Sequence, residues 1–237
     1  MARLKEIIAK IEPHFRAQAE RDVESVLRTG ARSQGDLRSV LRRKKVPTPI
    51  LIKVCWVLGR LGDKRSEFPL LGALKHSDPQ LRHAAAQSLG EVGRRRAVGL
   101  LVAALLLDQH VDVRMAAAHA LGSLRDRRAL QPLVGKLGDP NEDPRVRGMA
   151  AEALASLRDR RAVVPLITAL RDASVEVRFW SAFTLGQLGS ECALPELERL
   201  ASEDEAVLLG WRSIKEEAAE AIDAIRGRES STPKPQD

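Results

Sequence analysis

A chain of 237 residues with 44% apolar side chains could hold one or two packed domains, but only 3% of it is aromatic and it has no Tyr, so any core must be built from Leu, Val, Ile and Ala. The formal charge of +7 is unevenly placed: residues 31–60 carry eight basic side chains against Asp36 alone, whereas residues 196–237 carry eleven acids and six bases, which predicts a basic-to-acidic dipole rather than a uniformly basic face. The opening MARLKEIIAKIE lacks the pattern of a secretion signal, and the longest apolar run, Val98 to Leu107, falls far short of the ~20 residues that cross a bilayer, so a soluble, cytoplasmic chain without membrane insertion is expected.

Residues 3–28 interleave apolar and charged positions as an amphipathic helix does, and predict an N-terminal cap. A less regular basic stretch follows, with Gly30, Gly35 and the run Arg42-Arg43-Lys44-Lys45, so that residues 1–45 form a terminal segment. From residue 46 to 227 one phrase recurs: Leu58-Gly59-Arg60-Leu61-Gly62, then its counterparts at Leu89, Leu121, Leu154 and Leu185 and a weaker one at Ile222, spaced 31, 32, 33, 31 and 37 residues apart. A period of this length marks a solenoid, whose units bury their apolar faces only by stacking, and the reading is a single elongated body. Residues 228–237 offer nothing apolar to bury and read as a disordered tail.

Each phrase closes a helix. Before it stand a cation (Arg82, Arg114, Arg147, Arg178, Lys215) and then a small pair such as Ala85-Ala86 or Ala117-Ala118, at the steps that put residues on one helical face. Asp78-Pro79 and Asp143-Pro144 supply an N-cap with a first-turn proline, and Ser174 takes the cap position in the fifth unit. Pro69, Pro132, Pro165 and Pro195 open a second helix after the phrase, making each unit a helix pair.

The stretch Asp143 to Leu166, close to D-P-x-x-R-x-A-A-x-A-L-G-x-L-x-D-x-R-A-V-x-P-L, resembles the short HEAT-like repeat named after phycobilisome lyases, over roughly residues 46–227. The resemblance implies an all-α, right-handed α-solenoid of about six helix pairs, in which helices of this kind line the concave side. It also implies, as one alternative, a lyase or chaperone subunit holding a bilin or other tetrapyrrole with His83, His119 and the groove aromatics. Deoxyhypusine hydroxylases, of the same repeat class, bind iron through His-Glu pairs. Here the residues after the five histidines are Phe15, Ser77, Ala84, Val111 and Ala120, which excludes that function.

No Gly-rich phosphate loop, nucleophile elbow, C-x-x-C or H-x-x-x-H spacing is present, so no catalytic or metal-ligating residue is assigned and no cofactor is expected outside the bilin alternative. Cys55 and Cys192 read as small buried thiols, not a disulfide. Because the cation column repeats in every unit, it reads as a structural ladder.

Function is sought where units differ. One position after the column and four further on stand Ile52 and Trp56, His83 and Gln87, Met115 and His119, Glu152, Phe179 and Phe183, with Gln187 one step beyond: a varied face for a protein partner along the concave side. Each aromatic could equally fill core. Five helices spaced ~9 Å apart would offer ~36 Å of surface, the length of a partner helix of ~24 residues. Arg42, Arg43, Lys44 and Lys45 could dock an acidic partner. Arginine-rich loops at 94–96, 125–128 and 158–161 could touch nucleic acid, but only weakly and with strong salt dependence, since Glu91 and Glu152 would repel phosphate.

Overall fold

The computed structural model describes residues 34–43 and 46–229. The predicted cap helix over 3–28, Lys44, Lys45 and the tail beyond 229 lie outside the described residues. Among those described there are twelve α-helices, and the only extended pairing is an isolated antiparallel bridge between Val207 and Ser213. None of these helices is long and apolar enough to cross a membrane.

Contacts divide the chain at Leu124/Arg125 into two compact units. The expectation of a single elongated body did not include this division, because the sequence period runs through the boundary unbroken. In the first unit the helices α2 (Thr48–Leu61), α4 (Pro79–Val92) and α6 (Val111–Leu124) lie side by side in one layer. Shorter or more peripheral helices pack one on each: α1 (Gln34–Val40) on α2, α3 (Glu67–Ala73) on α4 and α5 (Arg95–Leu107) on α6. The second unit repeats the plan with α8 (Pro144–Leu157), α10 (Val175–Leu188) and α12 (Ile214–Glu229), backed by α7 (Leu130–Leu137), α9 (Val163–Ala169) and α11 (Leu194–Glu203). Three helix pairs in two layers in each unit, six among the described residues, are the all-α solenoid packing that the repeats imply.

Local chemistry sets the helix ends. Asp78 accepts the N–H groups of Gln80 and Leu81, and Asp143 that of Arg145, each beside a first-position proline. Ser174 stands at the predicted cap but makes no cap bond through its side chain; its own N–H goes to Asp172 Oδ1 at 2.8 Å. The recurring Leu58, Leu89, Leu121, Leu154 and Leu185 are all at 0% exposure. Beside them Gly permits close helix approach: a Cβ on Gly186 would stand 2.9 Å from Ala221 Cα, and one on Gly59 3.0 Å from Ser88 Cα.

The two thiols differ, contrary to the expectation that both are buried. Cys55 faces the core between α2 and α4, and burial pushes its pKa up to about 12. Cys192 is exposed because it takes the turn position held elsewhere by Arg65, Arg128 and Arg161, which points to solvent. A thiol-specific disulfide reagent is therefore expected to titrate one thiol rapidly in the native protein and the second only in denaturant. Two fast thiols would contradict this placement of α2.

Candidate functional site

The cation column, absent from α2 where Leu51 takes its place, is a ladder that ties each of the other five long helices to the loops beside it. Arg82 grips Asp108 with both ends of its fork, Nε to Oδ2 at 2.7 Å and Nη2 to Oδ1 at 2.9 Å, while Nη1 donates to the carbonyls of His76 and Ser77 at 2.9 and 2.8 Å. Arg178 repeats this with Asp204 and the carbonyls of Asp172 and Ala173. Arg114 donates to the Asp108 carbonyl at 2.8 Å, Arg147 to Asp172 at 3.0 Å, and Lys215 to Glu205 at 2.7 Å. These groups hold the scaffold and are spent as phosphate binders.

In the first unit, a groove of about 640 Å³ runs across α2, α4 and the N-terminal end of α6. Four predicted residues line it: Ile52 and Trp56 from α2, His83 and Gln87 from α4. Helical spacing i, i+4 aims each pair the same way, and stacking of α2 on α4 brings the two pairs together. The wall on the α6 side comes from His110, Asp112 and Val113 rather than from Met115, which is half-buried, or His119, which is exposed. His83 Nδ1 lies 2.9 Å from the Asp112 carbonyl oxygen, so Nδ1 carries the proton and Nε2 is the acceptor of the neutral ring. The Arg60 guanidinium sits 5.8 Å over the Trp56 ring at one end, where it also meets Glu91 at 3.8 Å. The result is an apolar floor with imidazole, amide and cationic groups at its margin. Among the described residues no group of three or more His, Cys, Asp or Glu is placed to hold a metal ion.

Lys53, Gln80 and His110 also line this groove and were missed. Lys53 follows Ile52 within α2, Gln80 stands in the first turn of α4 and His110 just before α6, and a search confined to one column passes over them.

In the second unit the corresponding face is built differently. Phe179 is 1% exposed and belongs to the core, which corrects its assignment as a partner-binding residue. Trp180 packs edge-on against it at 5.3 Å between ring centroids, and Trp211 lies over it at 5.6 Å. Trp180 also meets Phe183 at 5.6 Å and Trp211 at 5.0 Å. Gly148 makes room for this cluster: a Cβ there would fall 2.9 Å from Glu176 Cγ and 3.2 Å from Trp180 Cδ1. Burial among these groups pushes the Glu176 carboxyl above its ordinary range. Phe183 and Glu152 stay half-buried and Gln187 exposed. Trp211 comes from the segment between α11 and α12 that lengthens the last spacing to 37 residues, with Gly210 at φ 82° making its turn. That longer spacing was the one signal in the sequence that something extra covers α10.

Arg42 and Arg43 follow α1 and are exposed; the rest of that predicted docking run lies outside the described residues. Of the arginine-rich loops, each of those in the second unit pairs one of its three arginines with its own aspartate. Arg128 meets Asp126 at 2.9 Å and Arg161 meets Asp159 at 2.7 Å, and hydrogen bonds from the Arg161 side chain and N–H hold the Asp159 pKa at about 2.

A family model of HEAT repeats matches residues 37–110, 69–143 and 140–223. A search of the curated proteins finds no match. Among solved structures, the chain is similar to YibA of Escherichia coli, 20% identical over 94% of this chain and 80% of that one, with a TM-score of 0.59. It is similar to a designed armadillo repeat protein in complex with the peptide (KR)4, 21% identical over 85% and 98%, TM-score 0.51. It is also similar to the phycocyanin lyase complex of CpcE and CpcF from Nostoc, 20% identical over 81% and 82%, TM-score 0.48. At these identities the likeness is one of fold.

Proposed function

The chain belongs to the HEAT-repeat family, and on that premise we propose that it is a protein-binding scaffold that seats a segment of its partner in the groove of the first unit. The observation that carries this reading is the convergence of Ile52, Trp56, His83 and Gln87, residues that vary where the rest of the repeat is constant, on one open groove of about 640 Å³. A half-buried Trp flanked by imidazoles and amides is the composition of an interface anchor: the ring supplies apolar area, and the polar margin fixes orientation. The designed armadillo repeat protein of similar fold is in complex with the peptide (KR)4, which supports a peptide-like occupant.

The test is a quantitative pull-down from native cells with the wild-type chain, Trp56→Ala and Gln87→Arg. Trp56→Ala is expected to weaken capture of the specific partner by about 30-fold, the loss typical of a ~2 kcal/mol anchor. Gln87→Arg, on an exposed position, tests the groove without removing packed atoms. If both variants keep a native helical circular dichroism spectrum and bind the partner as tightly as the wild type, the groove is not the seat.

A further inference from the structure

The turn that joins α4 to α5 departs from every counterpart in a way that concentrates positive charge. After α2 and in the second unit, an Asp (Asp63, Asp126, Asp159) accepts the N–H two residues on and opens a short 3-10 turn. Each of these acids also holds an arginine: Asp63 pairs with Arg38, Asp126 with Arg128, and Asp159 with Arg161. In the second repeat the same place is taken by Arg94, and α5 starts directly at Arg95. Gly93 just before it is extended, with φ −64° and ψ 163°, where its counterparts Gly62, Arg125, Arg158 and Gly189 are left-handed. Only glycine fits, because a Cβ would stand 2.3 Å from the Leu89 carbonyl oxygen.

The missing acid is replaced from beneath. Glu67 of the preceding repeat, 5% exposed, accepts the Arg94 N–H on Oε1 at 2.8 Å. Its carboxylate thereby satisfies the backbone of the turn. Above it Lys64, Arg65, Arg94, Arg95 and Arg96 border a cleft of about 570 Å³, with Phe68 in its wall. Phe68 is 60% exposed, and the Arg96 guanidinium lies 5.3 Å over its ring. Lys64, Arg65, Arg94 and Arg96 gather around one small cleft with the buried Glu67 carboxylate beneath, and an anion placed among these cations lowers their mutual repulsion.

We propose that this cleft docks an acidic segment of a protein partner, its carboxylates forked by Arg94 and Arg96 and an adjacent apolar side chain packed on Phe68. Guanidinium forks match carboxylates bidentately, and an exposed ring beneath one of them gives the apolar residue a platform that charge alone would not. Nucleic acid fits less well. Backbone phosphates need cations spread along a track, whereas the cations here gather around one cleft beside an exposed ring, and in the equivalent turns of the second unit Arg128 and Arg161 are paired with Asp126 and Asp159. The inference rests on the protein-binding reading but uses a different surface from the groove.

Fluorescence polarisation on the full chain tests it, with a labelled short peptide of Glu and Asp residues around two Phe, a control peptide in which the acids become Gln and Asn, and an oligothymidylate of equal length. The acidic peptide is expected to bind at about 50 mM salt and to weaken steeply as salt rises. The control should not bind. Arg94→Ser with Arg96→Ser should weaken it by about 10-fold or more, and Phe68→Ala by roughly 3-fold or more. All these positions are exposed, so the fold is retained. Tighter binding of the oligothymidylate than of the peptide, or an unchanged affinity in the double arginine variant, overturns the proposal. Trp56→Ala should leave peptide affinity unchanged. If it abolishes binding instead, the acidic segment seats in the groove, and this inference falls while the scaffold reading stands.

Discussion

Phe179→Ala is expected to destabilise the protein by about 3–5 kcal/mol, the cost of emptying a fully buried aromatic site whose neighbours cannot collapse into it. The ring is 1% exposed and is enclosed by Trp180 from its own helix and Trp211 from the following segment. Phe183→Ala removes a half-buried ring that touches Trp180 on its outer side, and should cost about 1–2 kcal/mol. Chemical denaturation followed by circular dichroism separates the two. Equal, small losses would show that Phe179 is not core. Because the larger loss is structural, weakened partner capture by a Phe179 variant reports a damaged second unit and says nothing about an interface. Trp211→Ala is the intermediate case: its ring is 56% exposed, yet it covers Phe179, and its loss should fall between those of the two phenylalanines.

The difference between Phe179 and Trp56 shows what a repeat sequence makes legible. Both stand on the same face of equivalent helices, Phe179 at the position that Ile52 holds in the groove and Trp56 at the position that Phe183 holds in the second unit. The period gave the helices, their pairing, the Asp78 and Asp143 caps, the buried leucines and the role of the Arg column, because each depends on local spacing or on contact with the next copy of the same unit. It could not give the fate of Phe179, which is decided by Trp211 folding back from a segment that no other repeat contains. Nor could it give the division into two units, since the spacing of the recurring leucines continues across residues 124 and 125.

Substitutions that break the period carry the rest. Arg94 in place of the turn aspartate was visible as a triple-arginine run, but the run alone resembled those at 127–128 and 160–161. Only the structure shows that Arg128 and Arg161 are paired by the aspartates of their own turns, while under Arg94 the acid is Glu67 of the preceding repeat, bound to the backbone N–H. Cys192 similarly occupies a turn position whose exposure the other repeats announce by placing Arg there, a signal that residue type alone concealed.

Arg82→Ala is expected to cost about 2–4 kcal/mol and to change the acid limb of the stability curve. The substitution leaves the Asp108 carboxylate, whose side chain is 9% exposed, and the His76 and Ser77 carbonyls without their shared donor, and an uncompensated near-buried charge costs more than the pair contributes when whole. Burial by itself pushes the Asp108 carboxyl up, but hydrogen bonds from Arg82 and from the His110 N–H outweigh it and hold the group below the ordinary carboxylate range. A carboxyl whose pKa is lower folded than unfolded contributes stability that is fully present above its unfolded pKa, near 4, and lost as pH falls through the folded value. Asp204 behaves alike: burial raises it, while Arg178 and the Ala206 N–H bring it down further. The wild type should therefore lose stability steeply below about pH 4. In Arg82→Ala the Asp108 pKa moves back up, so part of that loss is already incurred at neutral pH and the acid limb becomes shallower. Denaturant midpoints measured from neutral pH down to about pH 3 for both proteins decide it. Parallel curves displaced by a constant would mean that Arg82 acts by packing alone and that its ion pair with Asp108 contributes nothing.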